Sequence, residues 1–263
     1  MSTLDGRVAL VTGASRGIGA AIARRFAAAG ADVAVMARTL DPVPGYSGSL
    51  SETVAAIEAA GRRALAVQGD LSSSPDRKRA VEETSQTLGP IDILVNNAAV
   101  TYIEPVESFG EKRFRLMFEV QVRAPFELAQ LVLPDMYARG SGWVLNISSR
   151  AAVHPVGPPF DKLMERGFSV YGMCKAALER FTTGLAAEGH SRGVRSNALA
   201  PLDNVATPGA GAHDLVADFA LEDETVMAEA ALALVEGDLT GRIALSQQLL
   251  SELGRSVAQS ERI

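Results

Sequence analysis

Tyr171 and Lys175 stand four positions apart in "YGMCKAAL", at the start of an apolar-striped helical pattern. Four residues is about one helical turn, so the phenol and the ammonium share a face and can reach one point in space. A free tyrosine has a pKa of about 10, so near neutrality it is a neutral proton donor suited to a developing alkoxide. A nearby ammonium favours the phenolate, so Lys175 is expected to lower the Tyr171 pKa and ease the reverse step, alcohol oxidation. A hydroxyl to orient or stabilise the substrate oxygen is offered at the end of "VLNISS", where Ser149 and Ser148 compete for the role. Alone, the pair is also what an ordinary helix surface carries; the surrounding elements decide between the two.

Those elements alternate. Short aliphatic runs ("RVALVT", "DVAVMA", "RALAVQ", "IDILVN", "GWVLNIS", "VRSNALA", "GRIALS") are separated by helical patterns at 20–29, 51–60, 76–88, 109–137, 171–190 and 222–235. Seven such strands separated by helices predict an α/β fold: one Rossmann-like, doubly wound parallel sheet with helices on both faces, a single dinucleotide-binding domain over 1–263. In such a sheet ligands bind beyond the carboxyl ends of the strands, where strand order reverses. Three Pro- and Gly-rich stretches follow strands on that side, at 39–49, 154–169 and 201–214, and the last two mark substrate loops near 154–169 and 201–220.

"VTGASRGIGAAIARRFAAAG" sets Gly13, Gly17 and Gly19 between the first strand and the first helix. Glycine allows a tight turn and close approach of phosphate to backbone, while the helix start supplies unpaired N–H groups and partial positive charge. About twenty residues on, NAD would call for a carboxylate on the ribose 2′-hydroxyl. The strand end instead reads Ala37-Arg38. A guanidinium can pair with a 2′-phosphate through two parallel hydrogen bonds, and Arg16 can approach the same group, so NADP is expected over NAD.

With these motifs in place the sequence resembles the short-chain dehydrogenase/reductase family from about Gly6 to Leu250. The matching segments are "TGASRGIG" (12–19), "GDL" (69–71), "NNAA" (96–99), "NISS" (146–149) and "YGMCK" (171–175). The segment "TLDPVPGYSGSLSET" further resembles the hydroxysteroid-dehydrogenase-like subgroup. The resemblance implies an oxidoreductase interconverting a carbonyl and a secondary alcohol, with Ser149, Tyr171 and Lys175 catalytic and Lys175 also bonding the nicotinamide ribose. It implies a cofactor site of Gly13, Ser15, Arg16, Gly17, Ile18, Gly19, Arg38, Asp70, Leu71, Asn97, Ala98, Tyr171, Lys175 and Pro201. Asp70 is alternatively a helix cap, and Asn97 is alternatively a residue that shapes its loop rather than touching cofactor.

Departures from the family pattern define an alternative. Gln121 stands where the family usually has an asparagine that supports a proton relay behind the lysine; a catalytic role for it depends on whether the longer amide keeps that contact. A non-catalytic, NADP-binding regulatory protein is the competing reading. The insertion "HPVGPPFDKLMERGFS" brings Pro155, Phe160, Leu163 and Met164 either to the wall of an apolar substrate pocket or against another subunit. Leu202 follows Pro201 where the family often has glycine, and a homodimer or homotetramer is expected.

Composition narrows the classes further. The 263 residues are 47% hydrophobic with a net charge of −6, which argues against nucleic-acid binding. No apolar run reaches the roughly twenty residues of a membrane span, and the start lacks a secretory or transit pattern, so a cytoplasmic protein is expected. The single cysteine, Cys174, and scattered His154, His190 and His213 predict no metal site, and Cys174 reads as a small packed residue.

Overall fold

The computed structural model describes residues 3–45, 47–160, 164–205 and 221–256. Strands β1 (Val8–Thr12), β2 (Asp32–Ala37), β3 (Ala64–Gln68), β4 (Ile93–Asn96), β5 (Gly142–Ile147) and β6 (Val194–Ala200) lie in one sheet. Two short strands, β7 (Asn204–Val205) and β8 (Leu221–Glu222), pair with each other, and β9 (Ile243–Leu245) closes the main sheet. Its order is β3-β2-β1-β4-β5-β6-β9, and every neighbouring pair is parallel. The expected doubly wound sheet is therefore present.

Every residue of β1, β4 and β5 is buried. A strand covered on both faces has no side for water, which is why these segments read as unbroken aliphatic runs rather than alternating ones. Within β1 the side chains still divide by a period of two: Ala9 and Val11 enter one core, Val8 and Leu10 the other. The first core is closed by α1 (Gly17–Ala28), α2 (Leu50–Ala59) and the helix Glu224–Glu236. The second is closed by α3 (Ser74–Thr87), α5 (Ala124–Arg139) and α6 (Ser169–Gly189). Leu10, Ile22 and Phe26 are fully buried, and each such side chain contributes about 1.5–3 kcal/mol. The alanines of α1 (Ala20, Ala21, Ala23, Ala27) and of the helix Glu224–Glu236 (Ala228, Ala230, Ala231) are buried, which lets the two backbones approach closely. Arg24–Glu224 (3.0 Å) and Arg25–Glu229 (2.7 Å) join their outer edges.

Three elements differ from the sequence reading. The pattern at 109–137 is not one helix: α4 (Glu111–Phe118) passes through a π-helical turn (Glu119–Arg123) into α5. A π turn inserts one residue into the helical ladder and so rotates the apolar stripe that follows it, and such turns cluster at functional sites. Helix α1 starts at Gly17, at the glycine turn itself rather than at 20. The β7–β8 pair, at the base of the loop after β6, had no signal beyond two short apolar stretches.

The sheet order reverses between β1 and β4. The segments leaving their carboxyl ends, beginning at Thr12 and Asn96, bound the crevice where a ligand belongs. Among the described residues no helix is long and apolar enough to cross a membrane, and no group of three or more His, Cys, Asp or Glu could hold a metal ion.

Candidate active site

Beyond β1 the chain turns through Gly13 to Arg16 and enters α1. The amides of Gly13 and Ala14 bond Met36 O at 2.7 and 3.3 Å, anchoring the turn to β2. Arg16 occupies the N-cap of α1 without a side-chain cap, and the first turn carries no acid. The helix start thus presents its orphan N–H groups and positive dipole end uncompensated, as an anion site requires. A Cβ at Gly19 would lie 2.5 Å from Gly13 O and would also strike Asn97 Nδ2, so the helix can close on the turn only with glycine there. Gly13 and Gly17 hold positive φ angles. Ser15 is buried and Ile18 is partly buried against the α1 core.

The Asn97 side chain joins the loop after β4 to the glycine turn. Its Nδ2 donates to Thr12 O (2.9 Å) and Gly13 O (3.1 Å), while its amide and that of Ala98 donate to Thr12 Oγ1 (3.0 and 3.3 Å). Thr12 Oγ1 in turn donates to Val95 O at 3.1 Å. The sequence reading passed over Thr12, although a hydroxyl ending a buried strand beside a glycine turn is a recognisable signal. Asp70 Oδ1 accepts from both the amide and the hydroxyl of Ser72 at 2.8 Å, an Asx-type turn rather than a helix cap, since Ser73 holds the N-cap of α3, and it sits with Leu71 just past β3. Buried Arg77 donates to Leu71 O and pairs with Glu119 (2.9 Å) and Glu127 (2.6 Å), tying this edge of the crevice to the π turn. Arg38 follows β2 with its side chain exposed.

This crevice fits a dinucleotide phosphate: an uncapped helix start, a turn too tight for side chains, and Arg16 and Arg38 where a carboxylate would otherwise stand. Pro201, just past β6, is held on the same side of the sheet. The Leu202 amide donates to Glu222 Oε2 (3.1 Å) and Ser246 Oγ (3.2 Å), and Arg150 Nη1 donates to Leu202 O at 3.0 Å.

Ser149 and α6 meet because the chain after β5 turns sharply through Arg150–Ala152 and presses on the helix. A Cβ at Gly172 would lie 2.5 Å from Ala151 O, so glycine beside Tyr171 is what permits the approach. Ser149 hydrogen-bonds the Tyr171 phenol, as does Thr101, a residue the sequence reading missed. Ser148 points elsewhere: it is buried, and its hydroxyl donates to Glu179 Oε1 at 2.6 Å. The serine that faces the phenol is therefore Ser149.

Lys175 is 2% exposed; its Nζ donates to Ile147 O at 2.9 Å and lies 5.7 Å from the centre of the Tyr171 ring. Burial pushes the ammonium down to about 8, with Cys174 and Glu179 opposing. The Tyr171 phenol moves upward, opposite to the sequence expectation. Its withdrawal from water outweighs the hydrogen bonds from Ser149 and Thr101 that pull the other way. Cys174 is fully buried beside Met117 and Val170, and burial pushes its thiol up to about 11, as suits a packed residue.

Gln121 lies in the π turn, 1% exposed. Its Nε2 donates to Val100 O at 2.9 Å, and its buried Oε1 accepts no hydrogen bond. Of the insertion before α6, Leu163 and the side chain of Met164 lie outside the described residues, as does 206–220 of the second loop. Val153, His154 and Pro155 instead line a cleft of about 400 Å³ with Phe168, Met173 and Ala176. Met173 and Ala176 occupy a different face of α6 from Tyr171 and Lys175, and Phe160 is half-exposed.

A family model described as short chain dehydrogenase matches residues 7–212. A short chain dehydrogenase of Pseudocercospora fijiensis is 38% identical over 200 residues, 75% of this chain and 60% of that protein. The hydroxysteroid dehydrogenase-like protein 2 of Danio rerio is 29% identical over 257 residues, 95% of this chain and 59% of that protein. That lower identity does not single out the hydroxysteroid-like subgroup. The chain thus spans about three fifths of the length of these two curated relatives. The crystal structure of a short chain dehydrogenase from Burkholderia cenocepacia in complex with NADP superposes with a TM-score of 0.76 at 31% identity, covering 93% of this chain and 98% of that one.

Proposed function

This chain belongs to the short-chain dehydrogenase/reductase family, and on that premise we propose that it interconverts a carbonyl and a secondary alcohol with NADP as cofactor. The observation that carries the reading is the convergence of Ser149 on the Tyr171 phenol, with Lys175 buried one turn further along the same helix. When bound, NADPH would supply the hydride for carbonyl reduction and NADP would accept it in alcohol oxidation. The residues of this chain supply position, proton and field. Tyr171, a phenol that is protonated at neutral pH and whose pKa is raised further, delivers the proton to the substrate oxygen in reduction and withdraws it in oxidation. Ser149 donates to the same oxygen and holds it against the phenol. Lys175 lends positive charge as the phenolate forms and bonds the nicotinamide ribose. The start of α1 takes the phosphates, and Arg16 and Arg38 take the 2′-phosphate that separates NADP from NAD.

Exchanging Arg38 for Asp should weaken NADP binding by about tenfold or more and relatively favour NAD, because a carboxylate repels the phosphate and accepts from a ribose hydroxyl. Titrating both coenzymes checks this; an unchanged preference removes Arg38 from the role.

Gln121 favours a second reading, a regulatory protein that binds NADP without turnover, because its amide nitrogen is spent on Val100 O. Purified protein assayed with NADPH or NADP against ketones, aldehydes and alcohols, with cofactor binding measured separately, separates the two. Turnover of any carbonyl–alcohol pair supports the enzyme; binding with no turnover across the panel supports the regulator. A homo-oligomer and a cytosolic site of action belong to the same proposal, supported by half-exposed Phe126 on α5 and Met173 on α6 and by the single, reduced cysteine.

A further inference from the structure

The end of β5 is fastened to α6 by four consecutive residues. Asn146 Nδ2 donates to Thr182 Oγ1 at 2.8 Å, Ile147 O accepts from Lys175 Nζ at 2.9 Å, the Ser148 hydroxyl donates to Glu179 Oε1 at 2.6 Å, and Ser149 hydrogen-bonds the Tyr171 phenol. Along the helix Tyr171, Lys175 and Glu179 follow at intervals of four, so their side chains line one face a turn apart. The mechanism uses the first two and leaves the third without a role. Ser148 is buried and its amide donates to Leu199 O at 2.8 Å, so the hydroxyl that grips Glu179 is itself fixed between β5 and β6.

The charges along this face oppose one another in a definite order. Burial drives Lys175 towards its neutral form, and Cys174 and Glu179 act against that loss of charge. Burial pushes the half-buried Glu179 carboxyl up, while the Ser148 hydrogen bond and the Lys175 ammonium pull it back down. The Tyr171 ring lies 5.7 Å from the ammonium. Among the described residues, β5, β6 and the π turn, which pack against α6, bring no further charge to bear on either group. Away from bulk water a carboxylate one helical turn distant acts more strongly than the same charge in solvent.

We propose that Glu179, anchored by Ser148, is a positioning residue of the reaction: the carboxylate that keeps positive charge on Lys175 beside the Tyr171 phenol. The proposal rests on the reading of Tyr171 and Lys175 as the proton donor and its charged partner. Glu179 touches neither coenzyme nor substrate in this account; it acts through the ammonium.

Nuclear magnetic resonance of the full, coenzyme-free chain, with its four lysines labelled with carbon-13 at Cε, reads the Lys175 midpoint directly, and Lys175→Met identifies its signal. Glu179→Gln keeps the shape and removes the charge, so the midpoint should fall by about half a pH unit or more. Ser148→Ala should move it the same way by a smaller amount and add nothing once Glu179 is replaced by Gln. The pH above which wild-type carbonyl reduction with saturating NADPH declines should fall with the midpoint in each variant. An unmoved Lys175 midpoint in Glu179→Gln, or a Ser148→Ala effect undiminished in the Glu179→Gln background, would each overturn the proposal. No turnover of any carbonyl by the wild type would overturn the oxidoreductase reading and this inference with it. Wild-type turnover whose pH limit ignores Glu179→Gln overturns the inference alone.

Discussion

Replacing Tyr171 by Phe should lower turnover by roughly a thousandfold, within the range that a positioned general acid commonly supplies. NADP affinity should stay within about twofold, since the ring and the packing of α6 are retained. The reasoning rests on one hydroxyl. Ser149 and Thr101 both bond it, and the phenol is the proton donor held where Ser149 can share its substrate oxygen. Because the phenol pKa is raised and the Lys175 ammonium titrates at about 8, wild-type reduction should be flat only below about pH 8 and decline above it as the ammonium is lost. Steady-state kinetics in both directions, with binding followed separately, check the prediction. Near-normal turnover of the Phe variant would refute the proton-transfer role.

The second large effect joins activity to stability with opposite signs. Lys175→Met should lower turnover by about a hundredfold or more, because the charge that favours the phenolate is lost. Stability should move the other way. The folded protein holds the ammonium at about 8 against the ordinary lysine value of 10.5, so it binds the Lys175 proton less tightly than the unfolded chain does. The cost of that burial is on the order of 3 kcal/mol and is fully present below about pH 8. Between about 8 and 10.5 the unfolded chain holds the extra proton, so the stability of the wild type rises with pH as the penalty is relieved. Met fills the same slot without charge and leaves Ile147 O without its donor, which offsets part of the gain. The cofactor-free variant should therefore be at least as stable as wild type at pH 7, and any advantage should shrink towards pH 10.5. Chemical denaturation across that range checks it; marked destabilisation at pH 7 would show that the folded protein favours the ammonium.

The sheet was legible because β1, β4 and β5 are covered on both faces and so carry unbroken aliphatic runs. The glycine turn was legible because its context, strand before and alanine-rich helix after, leaves few other uses for three glycines. Tyr171, Lys175 and Ser149 could be named, but nothing local to either stretch announces that they meet. That contact depends on Gly172 lying under Ala151 O, a relation between segments some twenty residues apart.

What escaped the sequence was mostly competition between neighbours. The direction of the Tyr171 shift depends on whether charge or burial wins, and only the packed structure weighs them. Asn97 matched a cofactor-loop motif, and only the packed structure shows its Nδ2 donating to Thr12 O and Gly13 O. Gln121 could be named from its position, but nothing there showed that its amide would turn to Val100 O. Gly48 looked like one more breaker in a Pro- and Gly-rich loop; its contact with Ser15 and Arg16 is fixed by how that loop docks.

The central claim is that Ser149, Tyr171 and Lys175 surround one reacting oxygen beside the hydride-bearing carbon of the coenzyme. The most direct measurement is transfer of deuterium from NADPH carrying deuterium at both C4 positions to a carbonyl compound, followed by mass spectrometry of the alcohol. The predicted result is one deuterium on the new carbinol carbon with wild-type protein, and next to none with Tyr171→Phe under conditions where both proteins are saturated with coenzyme. Tight coenzyme binding by the wild type with no deuterium in any alcohol product across ketones and aldehydes would contradict the account.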